Sequence, residues 1–353
     1  MHETETLFDF DDILITPSEL TSINSRSEVI PRIDNGYLPL MTAPMDTVIN
    51  DKNRKIFSDN GIKPVLPRIP NVDKNYVDTE LFLSYSLDDF DKVFMQNTPY
   101  IGENKKAYAL IDIANGHMSK LYDLAKRAKI KYGNSIYLMV GNIANPETFY
   151  QYALIEVDAI RVGIGNGNGC LTTVQTGVGY PMASLIHECN IIKKSNNFNT
   201  AIVADGGFKK YADIIKALGL GANYVMLGSM LNKALESAGE TTKVADSLGN
   251  HEIIDQYSEE ANQMFNAGIS LYKTFRGMST KEVQKLWGKE NLTTSEGVVR
   301  RNDVEYTLEG WVKNFESYLR SAMSYAGKKS LNDFIGNVTF RKISLNSFRR
   351  FDK

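Results

Sequence analysis

One stretch decides how this chain is organised: RVGIGNGNGCLTT, at residues 161–173. The apolar and β-branched run at 158–164 leads into it and predicts a buried parallel strand. Glycines then occupy every second position from 163 to 169, which lets the backbone turn tightly and approach a ligand closely. Cys170 follows, with hydroxyls two and three residues later, so the loop suits a nucleophilic thiol. A flexible loop with an incidental cysteine is the alternative.

The composition is that of a large globular protein. The chain has 353 residues, a hydrophobic fraction of 42% and a formal net charge of -2. This near-neutral balance gives no reason to expect nucleic acid or an acidic membrane as a partner. Two cysteines cannot build a disulfide framework, the polar start at 1–5 is unlike a secretory signal, and no apolar run is long enough to span a bilayer. We therefore expect a soluble, cytoplasmic protein.

Short apolar runs recur at intervals typical of alternating strands and helices. Eight of them predict strands, at 38–43, 63–66, 81–85, 107–113, 136–140, 159–164, 200–204 and 224–227. Between them, 118–131 and 211–218 have helical periodicity. About eight strands, nearly all parallel, fit a (β/α)8 TIM barrel, with residues 1–353 as a single domain. A doubly wound open sheet is the rival, but no GxGxxG turn followed by an acidic residue supports it.

Glycine and polar residues follow the predicted strands, where a barrel of this kind carries its active site. They stand at 43–47, 112–116, 141–142, 163–173, 205–207 and 228–229. The last two groups follow strands seven and eight, where such barrels often bind a phosphate through backbone N–H groups and helix N-termini. Each turn alone is more simply a tight strand-to-helix connection, but the six together favour a ligand site.

The chain after the last predicted strand has a different character. Residues 231–273 form a long, polar segment with a helix-rich pattern, and we expect a helical excursion or a lid there. A solvated surface helix is the alternative. A helix at 308–325 is expected to close the barrel, so that the closing helix and the tail together cover 308–353.

The motifs, taken in order, resemble those of the IMP dehydrogenase / GMP reductase family. The resemblance runs over nearly the whole chain, through FDFDDIL at 8–14, SRS at 25–27, APMDTV at 43–48, DGG at 205–207, GMS at 277–279 and SEG at 295–297. It implies a (β/α)8 barrel, in agreement with the strand count above. Dehydrogenases of the family usually carry paired CBS motifs after the second strand. Residues 66–81 leave no room for them, so no CBS insertion is expected.

Two further features resemble the reductase branch of the family. The dehydrogenase branch has an Arg-Tyr pair on a mobile flap, and none occurs between Met278 and Glu296. The stretches DIANG at 112–116 and TGVGYP at 176–181 are similar to the reductase versions. The resemblance therefore implies a GMP reductase reaction: NADPH-dependent reductive deamination of a guanine nucleotide, GMP, to IMP and ammonia.

The resemblance also implies roles for individual residues. Cys170 is the implied nucleophile at purine C2, Thr172 relays a proton, and Glu296 is its acidic partner. Asp205 is the implied acceptor from the ribose hydroxyls. Further implied positions for the nucleotide are Asn168, Gly206, Gly207, Gly228, Ser229, Gly277, Met278, Ser279 and Gly297.

Cofactor, cation and assembly follow from the same resemblance. The implied positions for NADPH are Ser25, Arg26, Arg68, Asp112, Ile113, Ala114, Val162, Gly163, Ser321 and Ser324. Backbone carbonyls of Gly163, Gly165 and Cys170 are the implied ligands of a monovalent cation such as K⁺. The family implies a homo-oligomer, a tetramer.

Departures from the family pattern keep other functions open. The loop has Asn166 for a proline and Asn168 for a phosphate-binding serine, and it lacks the arginine that usually follows two threonines after the cysteine. Thr293 stands where the reductases have an arginine. The alternatives are the same reaction on dGMP, an IMP dehydrogenase, and a purine-nucleotide-binding protein without turnover. An intact Cys170, Thr172 and Glu296 argue against the last.

Overall fold

A computed structural model describes residues 6–33, 35–70, 72–245, 249–278, 280–287 and 297–351. Its strands are β1 Ile13–Ile15, β2 Leu40–Thr42, β3 Val65–Leu66, β4 Phe82–Tyr85, β5 Ala107–Asp112, β6 Ile136–Ile143, β7 Ala159–Val162, β8 Ala201–Asp205, β9 Tyr224–Leu227, β10 Thr241–Val244, β11 His251–Ile254, β12 Leu271–Arg276, β13 Val299–Asp303 and β14 Phe340–Lys342.

The helices lie mainly between these strands. They are α1 Arg54–Asp59, α2 Leu87–Phe90, α3 Ser119–Tyr132, α4 Pro146–Leu154, α5 Thr172–Thr176, α6 Met182–Ser195, α7 Tyr211–Leu220, α8 Ser229–Asn232, α9 Glu259–Asn266, α10 Lys281–Leu286, α11 Leu308–Tyr325, α12 Leu331–Phe334 and α13 Leu345–Phe351. Short 3-10 or π-helical turns occur at Phe10–Asp12, Arg26–Glu28, Asp91–Gln96 and Gly133–Ser135. The helices predicted at 118–131 and 211–218 are confirmed as α3 and α7.

Eight parallel strands form one sheet that curves into a barrel. Their order is β2-β9-β8-β7-β6-β5-β4-β3, so each strand lies beside its neighbours in sequence and β9 returns to β2. A parallel bridge between Met41 and Lys63 joins β2 to the residues that lead into β3 and closes the ring. All eight predicted strands are confirmed, and with them the (β/α)8 barrel.

Two hydrophobic layers stabilise the barrel. The inner layer receives side chains from every strand of the barrel, among them Met41, Val65, Phe82, Leu110, Met139, Ala159, Val203 and Met226. The outer layer packs the strands against the helices, and α3 buries Leu121, Leu124, Ala125 and Ala128 in it. Because bulky side chains fill the interior, the barrel is a packed core and a ligand must bind at its end.

The segment 231–273 differs from the expected helical excursion. It contains α9, but also β10, β11 and the first half of β12, and with β13 these strands form an antiparallel sheet in the order β11-β10-β12-β13. The prediction of a helix-rich segment was wrong because these strands are half polar. In β12, Leu271, Lys273 and Phe275 are buried and the alternate residues are partly exposed. This period of two is that of a strand with one face on a core.

The C-terminal part closes the molecule. The helix predicted at 308–325 is confirmed as α11, which buries Trp311, Phe315, Leu319 and Met323. Beyond it, β14 pairs antiparallel with β1, so that the tail is tied to the first strand of the chain. Within the part of the chain that the structure describes, no helix is long and apolar enough to cross a bilayer.

Candidate active site

A cavity of about 550 Å³ opens at the carboxyl ends of the barrel strands. Its volume is in the range of small-molecule sites. Most of the residues that the sequence pointed to line it together: Arg68, Asp112, Ile113, Ala114, Gly163, Gly165, Asn168, Cys170, Thr172, Asp205, Gly206, Gly207, Gly228, Ser229, Gly277 and Met278. The structure thus brings together residues that are up to 210 positions apart in the chain, from Arg68 to Met278.

Cys170 lies in the cavity wall just before α5. Its thiol donates a hydrogen bond to Thr172 Oγ1 at 3.2 Å. The loop around it is held from two sides, because Thr173 Oγ1 donates to the Ile164 carbonyl at 3.1 Å and Cys170 forms an antiparallel bridge with Gly297. The sulfur is therefore fixed at the cavity wall beside a hydroxyl that can exchange protons with it.

Two of the predicted site residues belong to segments that the structure does not describe. Glu296 and Ser279 lie outside the described residues. Gly297, which pairs with Cys170, directly follows Glu296 in the chain. The role of Glu296 as the acidic partner of Thr172 and the contact of Ser279 with nucleotide both stay predictions.

Arg161 is the central charged residue of the site, and the sequence-based search gave it no role. Its guanidinium donates from Nη1 to Asp112 Oδ1 at 2.7 Å and from Nη2 to Asp205 Oδ2 at 2.8 Å. Asn142 Nδ2 donates to the same Asp205 oxygen at 2.8 Å. Burial alone would lower the pKa of Arg161, but the two carboxylates outweigh burial and raise it. The sequence did carry a signal for this role. Arg161 is a charged residue inside an otherwise apolar strand, and a buried charge needs partners.

The glycine turns after β8 and β9 form a second part of the wall. Gly206 has a positive φ of 87°, and a Cβ there would come within 3.0 Å of the Gly167 backbone. The turn after β8 and the cysteine loop therefore touch through their backbones. Gly228, the N-cap of α8, and Ser229, the first residue of that helix, line the same cavity. Backbone N–H groups after the seventh and eighth barrel strands suit a phosphate group.

Comparison with known proteins agrees with this geometry. A sequence profile for the IMP dehydrogenase / GMP reductase domain matches residues 94–351. The chain belongs to the IMP dehydrogenase / GMP reductase family. The match includes barrel strands β5 to β9 and the loops that follow them, so the chain is an enzyme, and the cavity is its candidate active site.

Family members with high similarity include several proteins named GMP reductase. The one from Staphylococcus aureus is 30% identical, over 92% of this chain and 93% of its own length. The one from Staphylococcus saprophyticus is 29% identical over 92% of both chains. The one from Buchnera aphidicola is 28% identical, over 97% of this chain and 96% of its own.

The cofactor positions that the family resemblance implied fall in two places. The first group, with Asp112 and Arg68, lies in the cavity wall. The Arg68 guanidinium carbon lies 3.7 Å from the centre of the Trp287 ring, and Arg68 Nε lies 3.5 Å from Asp112 Oδ2. Trp287 follows α10 and also lines the cavity, and the sequence-based search did not single it out as a site residue.

The second group lies outside the cavity wall. Ser25, Arg26, Ser321 and Ser324 do not line the cavity, and Arg26 Nη1 donates to Ser321 Oγ at 3.3 Å. This contact joins the turn Arg26–Glu28 to α11. Val162 is fully buried in the core, so its side chain does not reach a ligand.

Proposed function

We propose that this chain is an NADPH-dependent GMP reductase, which converts GMP to IMP and ammonia. The observation that carries the proposal is the Cys170 thiol, 3.2 Å from the Thr172 hydroxyl in a cavity whose wall also holds the partly buried carboxylates of Asp112 and Asp205. The similar proteins that are named GMP reductase cover at least 92% of this chain, which supports the reductase reaction over the dehydrogenase reaction.

Cys170 supplies the nucleophile in the first step. Its thiolate attacks C2 of the purine, the bond between C2 and the amino nitrogen breaks, and a thioimidate on Sγ remains. Thr172 Oγ1 accepts a hydrogen bond from the thiol, so it can take the thiol proton and pass it to the leaving ammonia. Glu296 is proposed as the carboxylate that drives this relay.

The second step restores the thiol. NADPH supplies a hydride when it is bound. The bond between C2 and Sγ breaks as C2 is reduced, and Cys170 leaves as a thiolate. Together the two steps turn GMP, NADPH and two protons into IMP, NADP⁺ and ammonium.

The cavity wall beside Cys170 suits the nicotinamide half of NADPH. Asp112, Ile113, Ala114 and Gly163 line the same cavity as the thiol and would hold the nicotinamide and its ribose there. Arg68 fits a polar ligand, because its Nε is buried and has no hydrogen-bond partner among the described residues. The outer group of Ser25, Arg26, Ser321 and Ser324 would then contact a part of the cofactor beyond the cavity.

The substrate sugar is proposed to be ribose. Asp205 Oδ2 is occupied by Arg161 and Asn142, which leaves Oδ1 for the sugar hydroxyls. Losing one hydrogen bond to a charged acceptor costs roughly 1.5–3 kcal/mol, or about ten- to a hundredfold in specificity. We therefore expect GMP to be preferred to dGMP. If GMP and dGMP give equal kcat/KM values with NADPH, or if dGMP is preferred, the substrate sugar is not selected as ribose.

A monovalent cation belongs to the proposal as well. The carbonyls of Gly163, Gly165 and Cys170 lie in one loop, but that of Gly163 already accepts a hydrogen bond from Asn142 Nδ2 at 2.9 Å. A bound ion would have to share this oxygen. Faster turnover in potassium chloride than in lithium chloride at equal ionic strength would support the cation site. Equal turnover in the two salts would refute it.

One absorbance assay of reduced nicotinamide separates the candidate functions. Consumption of NADPH with GMP is the expected result. Reduction of NAD⁺ with IMP would mean a dehydrogenase. Neither change, together with measurable binding of GMP, would mean a nucleotide-binding protein without turnover.

A further inference from the structure

The cavity contains little free positive charge for a nucleotide phosphate. A phosphate ester carries about -1.5 to -2 charges near neutral pH. Arg68 and Arg161 are the basic residues among the described wall residues. Arg161 is held by Asp112 and Asp205, and Arg68 stacks on Trp287 beside Asp112. Both guanidinium groups therefore belong to the carboxylate side of the cavity.

The phosphate end of the cavity can be located by general rules for this fold. Barrels of this kind bind phosphate after their seventh and eighth strands. In this chain the turns there are Gly206-Gly207 and Gly228-Ser229, and all four residues line the cavity. The Gly206 backbone contacts the backbone of Gly167. Asn168, which follows Gly167 in the chain, therefore lies at the phosphate end of the cavity.

One arginine from the antiparallel sheet reaches this end. In the register of β12 and β13, Arg300 lies directly opposite Phe275, and directly opposite residues share one face of a sheet. Phe275 lines the cavity and packs against the cysteine loop, since a Cβ on Gly169 would come within 2.9 Å of its ring. Arg300 therefore extends from the cavity-facing side of the sheet.

The Arg300 side chain ends at the loop residue that stands where the family has a phosphate-binding serine. Arg300 Nη1 donates to Asn168 Oδ1 at 3.3 Å. With Oδ1 turned to Arg300, the NH2 group of the Asn168 amide points away from the arginine and is a donor for an anion. The two side chains together present a guanidinium and an amide donor at the rim of the phosphate end.

We propose that Arg300 binds the phosphate of the nucleotide substrate and, with Asn168, replaces the serine and arginine that this loop lacks. The proposal rests on the proposed function for the identity of the nucleotide. It assigns Arg300 to recognition of the phosphate and gives it no part in the chemistry at C2. A guanidinium suits this role because it can donate two parallel hydrogen bonds to phosphate oxygens.

The neighbouring residue Arg301 provides a matched control. It lies opposite Thr274, on the other face of the sheet, and its Nη1 lies 2.6 Å from His251 Nε2. Arg300→Ala and Arg301→Ala therefore remove the same charge from adjacent positions, one facing the cavity and one facing away. Arg300→Lys keeps the charge and loses the paired donors.

The test measures the affinity for GMP and for guanosine by titration calorimetry or by competition, together with kcat and KM. Because Arg300 is exposed, we expect Arg300→Ala to weaken GMP binding by roughly five- to thirtyfold. Its affinity for guanosine and its kcat should stay close to those of the wild type. Arg301→Ala should bind GMP within about twofold of the wild type, and Arg300→Lys should lie between the two. The loss in Arg300→Ala should shrink in high salt.

Two outcomes would overturn the proposal. One is an equal effect of Arg300→Ala and Arg301→Ala on GMP binding, which would indicate a general charge effect. The other is an equal loss of GMP and guanosine binding in Arg300→Ala, which would indicate a distorted cavity. The proposed function is judged separately: a wild-type protein that binds GMP through Arg300 but does not oxidise NADPH refutes the reductase activity and retains the phosphate contact.

Discussion

At the scale of single residues, the proposed chemistry depends on Cys170 and Thr172. We expect Cys170→Ala to abolish turnover while GMP still binds, because the walls around the nucleotide come from other strands. Cys189 is the control: it is fully buried in α6, and burial raises the pKa of its thiol. Cys189→Ala should keep the activity. If Cys170→Ala retains more than a small fraction of the wild-type rate, the covalent mechanism is wrong.

A second prediction at this scale concerns Arg161. One guanidinium joins Asp205, the proposed acceptor from the ribose, to Asp112, a proposed cofactor position, and a lysine has a single nitrogen that cannot bridge both. We expect Arg161→Lys to lower kcat/KM for GMP and for NADPH by roughly tenfold or more. Arg127→Lys is the control, because Arg127 pairs with Asp91 on the exposed outer side of the barrel. If the kcat/KM values of Arg161→Lys stay within twofold of those of the wild type, the bridge between the two carboxylates has no role.

At the scale of elements, the antiparallel sheet β11-β10-β12-β13 places Phe275 in the cavity wall and Arg300 within hydrogen-bond distance of Asn168. It also buries a lysine. Lys273 of β12 donates from Nζ to the Ser237 carbonyl at 2.7 Å, and burial lowers its pKa to about 7.

The buried lysine predicts a pH dependence of stability. Between pH 7 and the ordinary lysine pKa of 10.5, the folded state binds fewer protons at Lys273 than the unfolded state does. The free energy of unfolding therefore rises with pH in this window, by at most about 1.4 kcal/mol per pH unit from this group. Lys273→Met should remove that slope, whereas Lys243→Met on β10 should keep it. Denaturant unfolding from pH 7 to 10 measures the difference, and parallel curves for wild type and Lys273→Met would contradict the assignment.

The same sheet shows where sequence patterns were insufficient. The barrel strands were predictable because each is a mainly apolar run that packs on both faces. In the outer sheet, β12 alternates buried and partly exposed residues, and the polar composition of 231–273 concealed that period. Contacts such as Arg161 with Asp205 or Arg300 with Asn168 join residues far apart in sequence, so only the fold reveals them. The position of Cys170 in the cavity wall was predictable because a thiol after a glycine loop is a local signal.

At the scale of the whole molecule, the predicted homotetramer needs exposed apolar surface. The C-terminal segment 337–340 offers little of it, because the Phe340 ring packs on His187, with 5.1 Å between ring centres, and on Phe8 at 5.6 Å. Tyr318 and Tyr325 of α11 are better candidates, since they are 55% and 69% exposed and lie seven residues apart on one helix face. Sedimentation should show a tetramer at micromolar concentration, and Tyr325→Glu should weaken it. A wild-type monomer would refute the prediction.

The central claim is that a nucleotide bound in this cavity is reduced at C2 after its amino group leaves. The most direct measurement uses GMP with NADPH that carries deuterium at the transferable position, followed by mass spectrometry of the nucleotide and quantification of ammonia. The account predicts IMP with one deuterium at C2 and one ammonia released for each NADPH oxidised. IMP without deuterium, or no conversion of GMP under conditions in which it binds, would contradict it.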